Sequence, residues 1–215
     1  MKTRYAFKVV LIGDGAVGKT SLVRRFVDQK FDDDYITTIG VNVKKKVIPE
    51  FRTILSIWDI FGQKSLAPQL HSKYYQGAKG ALIVFDITRK NTLDNLDDWI
   101  NDLYKVTGPI PVYILANKVD LITDFQKEMG ISLNRSTQKR FHQYMVDRHY
   151  VESLYLKEPE YQPVTSDIIR KWYGARKKRN KKLSGCHLTS AKTGKNVENA
   201  FRYLTKTLLE ETARR

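Results

Sequence analysis

Cysteine is nearly missing from this chain: Cys186 is the one thiol in 215 residues. A single thiol excludes an intrachain disulfide and suits a reducing compartment. No run of about 18 apolar residues occurs, so no membrane-spanning helix is expected. The start, Met1-Lys2-Thr3-Arg4, has neither the apolar core of a secretory signal nor the Met-Gly of myristoylation. The end, Glu211 to Arg215, offers no cysteine for a prenyl group, so membrane attachment by that route is not expected. A cytoplasmic protein, free or peripheral on membranes, is the expectation. Acidic residues are also scarce: 23 Asp and Glu face 38 Lys and Arg, a formal net charge of +15. The excess suits an anionic partner such as nucleic acid or acidic lipid, or else a merely basic soluble surface. At this length, and with 41% hydrophobic residues, a single domain with room for one insertion is expected.

What is present centres on residues 8–21. An apolar run, Val9 to Ile12, leads into Gly13-Asp14-Gly15-Ala16-Val17-Gly18-Lys19-Thr20-Ser21, and Leu22, Val23, Phe26 and Val27 follow at helical spacing. Strand, Gly-rich loop and helix in that order make a phosphate-binding loop. Its glycines let backbone N–H groups turn inward around a polyphosphate, and the helix N-terminus adds its dipole. Lys19 would reach the β- and γ-phosphates. The Thr20 hydroxyl would be a ligand of Mg²⁺, a hard cation that prefers oxygen.

Further strands are expected over 2–12, 41–48, 51–60, 81–87, 111–116 and 186–189. Helices are expected over 18–29, 91–106, 136–150 and 197–209, with another capped by Thr165 or Ser166 and running through Ile168, Ile169 and Trp172 into Arg176–Lys182. Residues 62–76 read as a loop and short helix. Apolar strands alternating with helices imply a mostly parallel six-stranded sheet covered on both faces. The hairpin at 41–60 supplies the one antiparallel strand, an edge strand with Lys44, Lys45 and Lys46 on its open side.

Other stretches fall where a guanine-nucleotide site needs them. Asp59 ends a buried strand and would hold Mg²⁺ through water; the Gly62 N–H would touch a γ-phosphate, and Gln63 would orient the attacking water. Asn117-Lys118-Val119-Asp120 follows another strand. A carboxylate there accepts from N1–H and the exocyclic amine of guanine, a donor pair adenine lacks. Ser190-Ala191-Lys192 follows the last strand, where a backbone N–H can read the guanine O6. Thr38, 19 residues beyond Lys19, would be a second Mg²⁺ ligand. Taken singly, Phe31 also fits a loop anchor, Asp59 a strand-end cap and Ser190 a helix N-cap.

These motifs resemble those of the Ras superfamily of small GTPases, and most of all its Rab-like branch. The residues that carry the resemblance are Gly13 to Thr20, Tyr35-Ile-Thr-Thr-Ile-Gly-Val41, Trp58-Asp-Ile-Phe-Gly-Gln63, Tyr74-Tyr-Gln-Gly-Ala-Lys-Gly80, Asn117 to Asp120 and Ser190 to Lys192, and the likeness covers about 1–121 and 184–212. It implies the G-domain fold and a switch that binds GTP with Mg²⁺ and hydrolyses it slowly, in signalling or vesicle trafficking. Lys19, Thr38 and Gln63 would be catalytic. GTP would be held by Asp14, Gly15, Ala16, Val17, Gly18, Lys19, Thr20, Ser21, Phe31, Tyr35, Thr38, Gly62, Asn117, Lys118, Asp120, Ser190, Ala191 and Lys192, and the metal by Thr20, Thr38 and Asp59. Phe31 would lie edge-on to the guanine, Tyr35 would close over the phosphates, and a side chain at Gly15 would crowd Gln63. Effector, GTPase-activating and exchange proteins would recognise segments 31–42 and 60–76 of a monomer.

Two departures stand out. Ile60-Phe61 replaces the family's usual Thr-Ala, and either packs into the core or offers an anchor to a partner. Between Asp120 and Ser190 lie 69 residues, far more than one helix–strand step needs. Residues 131–183 therefore read as a basic insertion; Ile131 to Lys182 holds 13 Lys and Arg against 5 Asp and Glu. This stretch suits RNA or anionic membrane, or is a solvated helix face. The alternative to a switch is accordingly a low-turnover, nucleotide-bound scaffold that holds RNA or membrane through the insertion. A P-loop ATPase or kinase is a third reading, which the guanine-reading Asn117–Asp120 motif opposes.

Overall fold

Six stretches of alternating or continuous apolar residues become one six-stranded sheet in the computed structural model, which describes residues 3–31, 40–62, 68–147 and 162–214. Tyr35, Thr38 and Gln63 lie outside these residues. In chain order the elements are β1 (Tyr5–Ile12), α1 (Lys19–Asp28), β2 (Val41–Ile48), β3 (Thr53–Ile60), α2 (Pro68–Tyr75), β4 (Gly80–Asp86), α3 (Lys90–Asp94), α4 (Leu96–Thr107), β5 (Val112–Asn117), α5 (Val119–Met129), α6 (Gln138–Asp147), α7 (Ser166–Lys177), β6 (Leu183–Leu188) and α8 (Val197–Ala213). The strands lie in the order β2-β3-β1-β4-β5-β6. The β2–β3 pair is antiparallel and the others are parallel.

The central strands are buried on both faces, as a parallel sheet between helices requires. On β1 the side chains alternate between two cores. Val9 and Leu11 join Phe26, Phe201 and Leu204 under α1 and α8. Val10 and Ile12 join Phe85, Trp99, Leu103 and Trp172 under α4 and α7. Phe61 is 8% exposed and belongs to this second core, so the bulky departure beside Gly62 packs inward.

Two local expectations are corrected. On β2, Val43 and Val47, 43% and 51% exposed, share the solvent face with Lys45, the one of the three lysines that keeps its expected place. Lys44 turns back to pair with Asp28, and Lys46 donates to the Val27 carbonyl at 3.2 Å while lying over the Phe26 ring. The C-terminal end of α1 attracts these cations, and their stems cover its apolar side. The helix expected over 91–106 is split into α3 and α4 at Asn95, whose amide reaches back to Asp14 at 2.8 Å.

The long stretch before Ser190 is of two kinds. Its first part, α5 and α6, builds a small core of its own from Leu121, Phe125, Phe141, Tyr144 and Met145. Its last part belongs to the sheet. Thr165 caps α7 by accepting from the Ile168 N–H at 3.4 Å, and Val164, Ile169, Trp172 and Leu183 complete the core beneath it. The helix stops at Lys177, short of the expected Lys182: the Arg179 N–H closes on the Arg176 carbonyl three residues back, and Asn180 then accepts from the Leu183 N–H on its carbonyl and from the Lys182 N–H on its side chain. β6 thus starts at Leu183, three residues before the expected Cys186. No described helix is long and apolar enough to cross a membrane.

Candidate functional site: a phosphate loop joined to a base-reading loop

The parallel strands deliver their carboxyl ends to one edge of the sheet, where an open α/β fold binds ligands. From β1 the chain enters the 13–18 loop and returns as α1. Gly18 has φ +91, and a Cβ there would lie 2.4 Å from the Asn117 side-chain nitrogen. The glycine permits both the turn and the approach of the second loop. Asn117, at the end of β5, donates from Nδ2 to the Val17 carbonyl at 2.9 Å. Its Oδ1 accepts from the Thr189 hydroxyl and the Ala191 N–H, both at 3.3 Å. One buried amide therefore ties three loops together: the phosphate loop, the Asn117–Asp120 loop and the Ser190–Lys192 loop.

Lys19 is buried in the first turn of α1, and its Nζ donates to the carbonyls of Gly13 at 2.8 Å and Asp14 at 2.7 Å. Burial pulls its pKa down to about 8; Asp59 and Asp14 work against that shift, and Arg89 adds to it. The Thr20 hydroxyl donates to Asp59 Oδ2 at 2.6 Å. Burial raises the Asp59 pKa, against the opposing Thr20 bond and the Lys19 and Arg24 charges. Among the described residues, Asp59 Oδ1 is buried without a hydrogen-bond partner. An unpartnered buried carboxylate oxygen beside a hydroxyl is a hard, anionic donor set, so these residues fit Mg²⁺. Gly62 closes the other side: a Cβ there would sit 2.4 Å from the Asp14 carbonyl and 2.5 Å from Lys19 Nζ.

The base-reading side is equally built. Lys118 takes φ +68 and pairs through Nζ with Asp86 Oδ2 at 2.9 Å. Asp120 is buried in the first turn of α5. The Ser190 hydroxyl accepts from the Thr193 N–H at 3.0 Å and closes a turn, whereas α8 starts later, with Asn196 at its N-cap, so Ser190 is not a helix N-cap. Arg25 donates to the carbonyls of Ala191 at 2.7 Å and Lys192 at 2.6 Å, and its guanidinium lies 5.9 Å from the Phe31 ring centre. Phe31 itself packs on the core under α1. Among the described residues a Cβ on Gly15 would meet nothing within 4 Å.

Sequence reasoning missed the residues that brace this site. Asp14 accepts from the Trp99 indole N–H at 2.7 Å as well as from Asn95, fastening the phosphate loop to α4. Asp86, at the end of a fully buried strand, accepts from the Thr88 N–H and hydroxyl and from Arg89 Nε at 3.1 Å. Burial would raise its pKa, but Lys118, Arg89 and Thr88 outweigh that and hold the carboxyl below its usual range. The available signal was a carboxylate closing an apolar strand with a cation three residues on, a charge that must be paired where it is buried.

A phosphate loop, a magnesium-compatible Thr–Asp pair and a base-reading loop held on a β2-β3-β1-β4-β5-β6 sheet define a guanine-nucleotide-binding G domain. The model of the Ras family matches residues 8–210. Ras-related protein Rab-21 of Bos taurus is 37% identical over 162 residues, 71% of each chain. Ras-related protein Rab-32A of Dictyostelium discoideum is 42% identical over 129 residues, 56% of this chain and 58% of that one. Ras-related protein RABA1b of Arabidopsis thaliana is 42% identical over 120 residues, 54% and 55%. The chain belongs to the Ras family and is a Rab-like small GTPase, an enzyme that hydrolyses GTP.

Proposed function

We propose that this protein is a GTP/GDP-dependent switch of the membrane-trafficking type, with slow turnover of its own. The observation that supports the reading is the Asn117 amide, which joins the Asn117–Asp120 loop to the 13–18 loop by a hydrogen bond to the Val17 carbonyl. Backbone N–H groups of Asp14 to Ser21 cradle the phosphates, and Lys19 offsets their charge. Thr20 and Asp59, joined by Thr38, would hold Mg²⁺, which would supply positive charge to offset that of the phosphates. The Gly62 N–H meets the γ-phosphate and Gln63 orients the attacking water. Asp120 accepts from the guanine edge, a backbone N–H of the Ser190–Lys192 loop reads O6, and Lys118, Lys192 and Phe31 flank the base. Tyr35 closes over the phosphates. An arginine supplied by a partner speeds hydrolysis. Segments 31–42 and 60–76 present the nucleotide state to effectors, activators and exchange proteins, and the molecule works as a monomer built on one G domain spanning 1–215.

Single-turnover hydrolysis of GTP-loaded protein with Mg²⁺, run beside Gln63→Leu, tests this. Slow release of phosphate that the substitution abolishes is the expected result. Equal rates in the two proteins would remove Gln63 from the mechanism, and an ATP preference in competition would remove the guanine reading.

A second reading is kept by one observation. Of the basic cluster, Arg176 pairs with Asp97, Lys182 pairs with Glu211 and Lys177 donates to the Leu183 carbonyl. Lys178, Arg179 and Lys181 are exposed and enter no ion pair among the described residues. These three cations support a contact between the 131–183 stretch and anionic membrane or RNA, which would serve a scaffold as well as a switch.

A further inference from the structure

Arg89 enters none of the roles above, yet it makes two contacts at the centre of the site. Its Nε donates to Asp86 Oδ2 at 3.1 Å and its Nη2 donates to the Gly15 carbonyl at 2.9 Å. Asp86 Oδ2 is also the partner of Lys118 Nζ. A continuous chain of contacts thus runs from the base-reading loop through Lys118, Asp86 and Arg89 to the phosphate loop. The Asp86 side chain is 1% exposed and that of Arg89 12%, so solvent and salt screen the pair weakly.

The contact with Gly15 has a geometric consequence. The Gly15 carbonyl and the Ala16 N–H belong to one planar trans peptide and point to opposite sides of it. Ala16 holds φ +59, a left-handed conformation uncommon for a residue with a Cβ, so this peptide is not held by local preference alone. A donor that grips the carbonyl from outside the loop also sets the direction of the N–H on its inner side. Arginine suits the task because its nitrogens are fixed in a fork; a lysine ammonium is a single point that can satisfy Asp86 but cannot span Asp86 and Gly15 in this way.

We propose that Arg89 is a positioning residue for the polyphosphate: by holding the Gly15 carbonyl it aims the Ala16 N–H into the phosphate cradle, and through Asp86 it couples that cradle to Lys118. The inference rests on the guanine-nucleotide reading above. A structural brace alone would alter stability without altering the grip on phosphate, so the two must be read separately.

The test is dissociation of a fluorescent GDP from the full-length, Mg²⁺-loaded protein, in wild type, Arg89→Lys and Arg89→Gln, with thermal midpoints measured alongside. Preference for GDP over IDP, which lacks the exocyclic amine, reports the base reader separately. The expected result is release about tenfold faster in both variants. Midpoints should stay within a few degrees for Arg89→Lys, and the preference for GDP over IDP should be unchanged. Unaltered release in both variants overturns the proposal. So does a collapse of the GDP preference, which would put Arg89's effect on the base loop. If neither variant folds, Arg89 is a structural brace and the proposal is wrong. A wild type that fails to bind GDP overturns the nucleotide reading itself, an outcome distinct from normal binding with unaltered variants.

Discussion

Lys19 is an ammonium enclosed by peptide carbonyls, and burial brings its pKa to about 8. In the unfolded chain the group keeps its ordinary value near 10.5. Between these two values the unfolded state binds more protons than the folded one. The stability of the nucleotide-free protein should therefore rise with pH across that window, as far as this group decides it. Nucleotide binding has the opposite sense. A phosphate beside Nζ favours the charged form, so GDP binding at pH 9 should take up a proton and affinity should fall as pH climbs above 8. Calorimetry in two buffers of different ionisation enthalpy measures the uptake. Lys19→Met should abolish it together with most of the binding; uptake that persists in that variant would assign the proton elsewhere.

Among elements, α5 and α6 share a small core of their own, which touches the sheet core through Ile122, while Val119 at the start of α5 belongs to that sheet core. Phe141 is fully buried and meets Phe125 edge-on, with ring centres 5.1 Å apart. Phe141→Ala should cost this small core about 3 kcal/mol, read as faster amide exchange confined to α5 and α6. GDP affinity should stay within about threefold of wild type, a change of less than 1 kcal/mol. Exchange that quickens across the whole sheet would mean the pair is integral to the G domain. The strands, α1 and α8 were legible from their apolar periodicity, as was α4 apart from its break from α3 at Asn95, and the 13–20, 117–120 and 190–192 loops stood out by their residue types and spacing. The role of α7 was hidden, since its basic stretch reads as surface while Ile169 and Trp172 pack beneath it on the sheet. Trp99 was hidden for another reason: its importance lies in a contact with Asp14, 85 residues away, which no local pattern encodes. Asp86 and Arg89 offered only the local signal of a strand-end carboxylate with a cation three residues on, and their links to Lys118 and Gly15 are long-range.

For the whole molecule, the net charge of +15 is unevenly spent. Half-exposed ion pairs to Asp28, Asp97 and Glu211 neutralise Lys44, Arg176 and Lys182, whereas Lys178, Arg179 and Lys181, just beyond α7, are exposed. Near an anionic bilayer such cations contribute about 1 kcal/mol each. Replacing all three by serine should lower partition onto phosphatidylserine vesicles at low salt by about a hundredfold and leave GTP hydrolysis unchanged. Equal co-sedimentation of the two proteins would discard the membrane contact. Salt-sensitive retention on RNA, lost in the same variant, would assign the patch to nucleic acid instead.

Asn117 also sets an order of events during synthesis. Its carbonyl oxygen is satisfied by Thr189 and Ala191, the latter 74 residues downstream. At roughly 5–20 residues per second, a ribosome needs about 4–15 s to deliver that partner after Asn117 has been made. Throughout that interval the nascent chain has its 13–18 loop but lacks the partners of the Asn117 carbonyl oxygen. On the function proposed above, selectivity for guanine would be acquired late in translation, and a chain stalled within α5–α7 would carry a nucleotide site unable to choose its base.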